Sequence, residues 1–299
     1  MRDARPRFSI SQITTLTSPF EADVRAYADA GLDGIGIWEQ KLPAGDAAAL
    51  ELLEASGLGS ASAIPEVPSV LPLPLFPGPE DPQERVEAIC ASLHRLAPFG
   101  PGGIVCLTGS ARGREPDEAR ATVIEGLRSI AAEAARAGVR IGLEPVQREG
   151  GEDWTIVSSI PEAVTLIEEA GEPAALGIQF DVWHLWNTDT LLDDIAREHD
   201  RFVGVHVPDW RDPTRSWCDR VLPGDGVAPL PAILGALDEA GWTGFYDLEI
   251  FSDDGTFGNA YPDSLWRVPA PELARRGREA FERVWAARQL SQPAGGRTL

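Results

Sequence analysis

The chain has 299 residues, 43% of them hydrophobic and 24% charged, with a formal net charge of −21. That length suits a single α/β barrel of about 250 residues plus its loops, and so acidic a chain repels a phosphate backbone, which argues against a nucleic-acid partner. No apolar run approaches the roughly 20 residues of a membrane span, and the opening MRDARPRF leads into no apolar secretory core, so a cytoplasmic protein is expected.

In chain order, FSISQI (8–13) reads as a first strand, a helix follows over about Glu21 to Ala30, and DGIGIW (33–38) reads as a second strand. A helix from about Ala47 to Ser56 precedes LGSASAI, and one from about Pro82 to Ala97 precedes GIVCLTG. An Ala-, Glu- and Arg-rich helix from Pro116 to Ala137 is closed by Gly138 before a fifth strand at Val139, and Ile160 to Ala170 is closed by Gly171 before a sixth at Leu176. Helices near Thr190 to Glu198 and Leu230 to Ala240 precede strands seven and eight, and a last helix, about Pro271 to Gln289, completes the series. Eight strand–helix units joined by right-handed crossovers predict one closed (β/α)8 TIM barrel over 1–289. An open dinucleotide-binding sheet would need a glycine-rich turn after strand one, where SQITTLTSP stands instead. The segment 65–82 holds seven prolines in eighteen residues and predicts a stiff loop over the mouth, while 290–299 reads as a disordered tail. Cys90, Cys106 and Cys218 lack CxxC spacing and read as reduced thiols.

Four apolar stretches in the second half each run into one metal-capable side chain: RIGLE at Glu144, GIQFD at Asp181, VGVH at His206 and YDLE at Glu249. The separations of 37, 25 and 43 residues each fit one loop, helix and strand. Barrel active sites lie where the strands end, so these ends predict three carboxylates and one imidazole around one mouth. Hard oxygen donors with a single imidazole suit Mn²⁺ first, with Mg²⁺, Co²⁺ or Zn²⁺ as alternatives. Three residues past Asp181, His184 is placed either to reach a substrate oxygen or to pack the loop. Arg211, Arg215 and Arg220 follow His206, and surface ion pairing is the default reading of each. The GDG at 224–226 reads as a tight turn. Trp154, Trp183, Trp186, Trp210 and Trp217 all follow strands five to seven and predict a broad apolar rim for a sugar face, an aromatic group or a partner subunit.

At these residues the sequence resembles the xylose isomerase-like barrel superfamily, which holds ketose 3-epimerases, inosose isomerases and dehydratases, and sequences labelled sugar phosphate isomerase/epimerase. The epimerase motifs stand here as Leu143-Glu144-Pro145, Asp181 to His184, His206, Arg220 to Gly226 and Glu249. The resemblance implies that Glu144, Asp181, His206 and Glu249 hold the metal, that the two glutamates move protons, and that His184 and Arg220 touch substrate. In the first half of the barrel only Glu39, Glu66 and Thr108 offer themselves as substrate residues, by position alone. An abasic-site endonuclease of the same superfamily needs several more histidines than the four present.

The implied reaction is isomerisation or epimerisation of a keto sugar or related polyol through an enediolate, one glutamate taking a proton and the other returning it. A lyase acting on 3-oxo-glycosides shares the first step but then expels a substituent, as in C-glycoside deglycosidases, some of which pair the barrel with a small second subunit. The rim tryptophans Trp183, Trp186, Trp210 and Trp217 would suit its aromatic aglycone. A sugar-binding barrel without turnover is the non-enzymatic alternative. The expected partner is a small carbohydrate, with a homo-oligomer or small second subunit also open.

Overall fold

The structure is a computed structural model that describes residues 5–288 apart from 75, 148–153 and 172–173. The expected tail thus lies outside the described residues. Eight parallel strands close in the order β1, β10, β7, β6, β5, β4, β3, β2, where β1 is Arg7–Ser11, β2 Gly34–Trp38, β3 Gly59–Ile64, β4 Gly103–Cys106, β5 Ile141–Leu143, β6 Leu176–Asp181, β7 Phe202–His206 and β10 Phe245–Leu248. Between them run α1 (Phe20–Asp29), α2 (Asp46–Ser56), α3 (Pro82–Leu96), α4 (Pro116–Ala137), α5 (Ile160–Ala170), α7 (Leu191–Glu198) and α8 (Leu230–Ala240), and α9 (Ala270–Ala287) closes the ring.

The sequence pattern explains most of these limits. Asp81 caps α3 by accepting from the Gln83 amide, with Pro82 in the first turn. Ser159 and Glu162 form a reciprocal cap on α5, Ser159 Oγ accepting from the Glu162 amide and Glu162 Oε2 from the Ser158 amide. Strand β5 begins at Ile141 rather than Val139 because the Val139 amide still donates to Ala134 O in the helix-closing turn. Likewise β1 ends at Ser11, and Gln12–Thr15 coils into a 3₁₀ turn.

Strand side chains alternate in direction. Ile10 and Leu248 point outward to α9, where a methyl on Gly277 would lie 2.8 Å from Leu248 and 3.4 Å from Ile10. This layer between strands and helices carries the main apolar cluster. The inward positions are polar to an unusual degree, since Ser9, Ser62, Gln179 and Asp247 are all buried there.

Two pieces that periodicity did not predict shape the mouth. A single turn, α6 (Val182–Leu185), follows β6, and an antiparallel ribbon joins β8 (Asp209–Trp210) to β9 (Arg220–Val221). The proline-rich segment is held against the end of β4: the Val70 and Leu71 amides donate to Leu107 O and Thr108 O, and the Leu107 amide donates back to Pro68 O. The contact is so close that a methyl on Gly109 would lie 2.1 Å from Leu71 O. From α3 the buried Arg85 guanidinium donates to Ser69 O, Ser69 Oγ and Pro79 O, tying both ends of the loop to one helix.

Candidate active site

Glu144 directly follows β5, Asp181 and His206 are the last residues of β6 and β7, and Glu249 directly follows β10. All four are buried and converge on one ring nitrogen. His206 Nδ1 lies 3.3 Å from Glu249 Oε2, 3.7 Å from Glu144 Oε1 and 3.9 Å from Asp181 Oδ2. Arg220, delivered by the β8–β9 ribbon, places Nη1 2.8 Å from Asp181 Oδ2 and 3.3 Å from Glu249 Oε2. Its guanidinium carbon stands 4.9 Å from the Trp183 ring and 4.8 Å from that of Phe251, held between two aromatic faces. His184 Nε2 is 3.8 Å from Asp181 Oδ2, and the Asp181 carboxylate is fixed by the Trp183 amide at the start of α6.

The electrostatics follow from charges crowded away from water. Burial pushes the Glu144 carboxyl up to about 7 and raises Asp181 as well. Burial works in the same direction on Glu249, but His206 and Arg220 outweigh it and keep that carboxylate below its usual range. His206 is held well above the ordinary imidazole value: burial opposes its charge, and Glu249, Glu144 and Asp181 together overcome that. His184 goes the other way, lowered well below its usual value by burial and by the nearby Arg220 and His206 cations. The cluster therefore demands positive charge at its centre. Glu144 Oε1, His184 Nδ1 and His206 Nδ1 are buried and find no hydrogen-bonding partner among the described residues. Ligand atoms of Glu144, Asp181 and His184 lie within 4.8 Å of one another, as do those of Asp181, His206 and Glu249. Oxygen-rich donors with unpaired atoms turned inward fit a divalent cation.

Sequence reasoning missed the group beneath His206. Asp247 lies two residues before Glu249 on β10 and so faces the same side. Its carboxylate accepts from Ser9 Oγ at 2.8 Å and Ser62 Oγ at 2.7 Å, and His206 Nε2 lies 3.4 Å from Ser62 Oγ and 3.8 Å from Asp247 Oδ2. With Nε2 facing this pair, Nδ1 is left facing the three upper carboxylates. Room for Asp247 comes from Gly36, where a methyl would lie 2.3 Å from its Oδ2. The alternation in YDLE was the one available signal.

Above the cluster lies a small cavity of about 50 Å³, open to solvent, whose base is Glu144, His184, His206, Arg220 and Glu249. Its walls include Trp38, Phe76, Trp154, Trp217 and Phe251. Of the four tryptophans expected to meet substrate, Trp217 lines this cavity. Trp183, Trp186 and Trp210 do not. They pack on one another beside His184 where α6 meets the β8–β9 ribbon, with centroids 4.6 Å apart for Trp183 and Trp210 and 5.8 Å for Trp186 and Trp210. Glu39, Glu66 and Thr108 also fall outside the lining. Glu39 accepts from the Glu66 amide and faces Arg95, and Thr108 accepts from the Ile156 amide. Arg211 and Arg215 pair with Asp219 and Asp263, and the GDG turn is organised by Asp209, which accepts from the amides of Gly224, Gly226 and Ala228. Cys90, Cys106 and Cys218 are free thiols. Among the described residues, no helix is long and apolar enough to cross a membrane.

A curated relative, "Probable endonuclease 4" of Pediococcus pentosaceus, is 28% identical over 152 residues, covering 48% of this chain. The chain spans about half the length of that relative. Among solved structures, a Sinorhizobium meliloti 1021 protein superposes with a TM-score of 0.80 at 26% identity, covering 93% of this chain and 98% of the other. The 3-keto-D-glucoside 4-epimerase of E. coli superposes with a TM-score of 0.69 at 19% identity, covering 94% and 100%. That identity attests the fold alone. The family model for xylose isomerase-like TIM barrels matches residues 24–284, and the chain belongs to that family.

Proposed function

We propose that the protein is a metal-dependent isomerase or epimerase that removes and returns a proton next to the carbonyl of a keto sugar or related polyol. The observation that carries this reading is the convergence of Glu144, Asp181 and Glu249 within 3.9 Å of His206 Nδ1 at the floor of the cavity. Glu144, Asp181, His206 and Glu249 would hold one divalent ion, Mn²⁺ by donor chemistry, which would polarise the substrate carbonyl. Glu249, kept ionised by His206 and Arg220, takes the proton at Oε2. Glu144, anchored on a different strand, returns one. His184, kept uncharged, orients a substrate hydroxyl through the ring nitrogen that the protein leaves unpaired. Arg220 balances negative charge as it develops on oxygen. The similarity in fold to a keto-glucoside epimerase agrees with this reading, and the chain's charge of −21 disfavours a DNA substrate.

The test is incubation of the Mn²⁺-loaded protein with keto sugars and 3-oxo-glycosides in D₂O, with mass spectrometry of the products. Deuterium incorporation without release of an aglycone is expected, and Glu144→Gln and Glu249→Gln should each slow it by orders of magnitude, since an amide can neither take nor return the proton. Release of an aglycone would replace isomerisation by the lyase outcome, and exchange at wild-type rates in either variant would remove that glutamate from the chemistry.

A further inference from the structure

The end of β1 is built around Glu249. Ser9 pairs in register with Asp247 and Ile10 with Leu248, and Ser9 Oγ donates to the Asp247 carboxylate. Alternation along both strands repeats that arrangement two residues on, where Ser11, the last residue of β1, stands beside Glu249. The Ser11 hydroxyl hydrogen-bonds the Glu249 carboxylate. A serine hydroxyl has one hydrogen to give, and its direction here is set from the other side: the Trp38 indole nitrogen, which can only donate, lies 2.8 Å from Ser11 Oγ. Trp38 therefore occupies a lone pair of Ser11 and leaves its hydrogen for Glu249. The backbone around Glu249 is gripped by the same segment, since Thr14 Oγ1 donates to Leu248 O at 2.8 Å and accepts from the Ile250 amide at 2.9 Å. The turn that carries Thr14 is itself fixed, because Lys41 Nζ donates to Gln12 O at 2.9 Å and to Thr15 O at 2.8 Å.

The other contacts of this carboxylate are shared ones. His206 Nδ1 lies 3.3 Å from Oε2 but also faces Glu144 and Asp181, and in the loaded site that nitrogen turns to the ion. Arg220 Nη1, 3.3 Å from Oε2, is closer to Asp181 at 2.8 Å. Ser11, fully buried and anchored on a barrel strand, answers to Glu249 and Trp38. We propose that Ser11 is the positioning residue of Glu249: its hydroxyl, aimed by the Trp38 indole N–H, holds the carboxylate in the orientation that serves both the ion and the substrate proton. A ligand loses affinity when the partner that orients it is removed, and a base displaced by about 1 Å can lose about 10²-fold in rate. This inference rests on the proposed role of Glu249 for its effect on turnover, and on the strand geometry alone for its effect on metal binding.

Calorimetric titration of the metal-free protein with Mn²⁺ alone gives a readout that needs no substrate. Ser11→Ala should weaken Mn²⁺ about tenfold, Trp38→Phe, which keeps a ring and removes the N–H, should weaken it by a smaller factor, and Ser11→Thr, which keeps the hydroxyl, should restore it. At saturating Mn²⁺ in D₂O, with D-fructose and methyl 3-oxo-β-D-glucopyranoside as probes, Ser11→Ala should lower kcat for exchange by about 10- to 100-fold and leave KM nearly unchanged. Wild-type Mn²⁺ affinity in Ser11→Ala would overturn the inference. So would an equal loss in a Ser11→Thr protein that melts at the wild-type temperature, because the effect would then be one of packing. If Ser11→Thr does not fold, Trp38→Phe decides, and wild-type Mn²⁺ affinity there defeats the relay. The parent reading fails separately. Exchange that Glu249→Gln slows but Ser11→Ala does not overturns the positioning role and leaves the chemistry, whereas no exchange of either probe by the wild type removes the chemistry and leaves the Mn²⁺ titrations to decide for Ser11.

Discussion

Asp247 gives a sharp test of how the floor of the site is built. It is 1% exposed, its acid is pushed up by burial, and its two oxygens each accept one serine hydroxyl. In Asp247→Asn one acceptor survives, and the new amide can donate to the other serine, which can rotate to accept. A hydrogen bond to a charged group contributes about 1.5–3 kcal/mol and a neutral one about 0.5–1.5 kcal/mol. The weaker bonds are offset by no longer burying a charge, so the net change in folding stability should stay within about 2 kcal/mol. That corresponds to a few degrees in Tm for a domain of this size. Metal affinity should respond more. Groups that orient a ligating histidine typically contribute 10- to 100-fold in affinity, or about 1.4–2.7 kcal/mol, because the variant no longer fixes which ring nitrogen of His206 faces Glu144, Asp181 and Glu249. Mn²⁺ titration beside thermal melts of the metal-free protein separates the two effects. Gly36→Ala, whose methyl must displace the same carboxylate, should weaken Mn²⁺ in parallel. Unchanged Mn²⁺ affinity in both variants, whatever their melting temperatures, would show that Asp247 only packs the barrel interior.

Asp181→Ala and His206→Ala should each lower metal content far below one equivalent, read by elemental analysis, and full occupancy in both would refute the ligand assignment. Lys41 donates to Asp23 at 2.6 Å, and Asp23 is fully buried. Lys41→Met should therefore cost about 3–5 kcal/mol in a denaturant melt by stranding the carboxylate, and Lys41→Met with Asp23→Asn should recover part of the loss; no recovery would mean that lost packing, not charge, is responsible. Trp210→Ala should lower stability by less than the about 3–5 kcal/mol of a fully buried tryptophan yet leave Mn²⁺ affinity intact, since its ring packs on Trp183 and Trp186 rather than on the cavity. A loss of Mn²⁺ affinity would show that the Trp183 cluster also positions the carboxylates.

The barrel was legible because its strands and helices obey different periods and its helices carry their own punctuation: Gly138 and Gly171 end α4 and α5 where expected. The four strand-end groups were legible for a related reason, since a charged residue closing an apolar run is placed at the mouth by topology alone. Direction within loops was not. Trp183 and Trp217 look alike in sequence, each a tryptophan on the chain that follows a barrel strand, but one faces Arg220 and Trp210 and the other faces the cavity. That difference comes from α6 and the β8–β9 ribbon, two elements too short to show any periodicity. Asp247 was hidden in another way, because its meaning depends on Ser9, Ser62 and Gly36 from three other strands, a meeting no local window contains. The apolar half of the cavity was equally invisible, since Trp38, Ile64 and Val105 read as ordinary strand residues until the barrel closes.

The fastening of the proline-rich segment has a kinetic corollary. A loop that closes over substrate must give up conformational freedom on each binding event, and its opening often sets the rate of product release. Here Pro68, Leu73 and Phe76 already form part of the cavity wall, bonded to the end of β4 and clamped by Arg85 from behind. That side of the pocket is assembled before any ligand arrives, and so it imposes no gating step of its own. Selectivity at this wall is then a matter of fixed shape, and a homologous barrel could acquire a different preference by exchanging 65–82 as one cassette, so long as the arginine on α3 and its three oxygen acceptors travel with it.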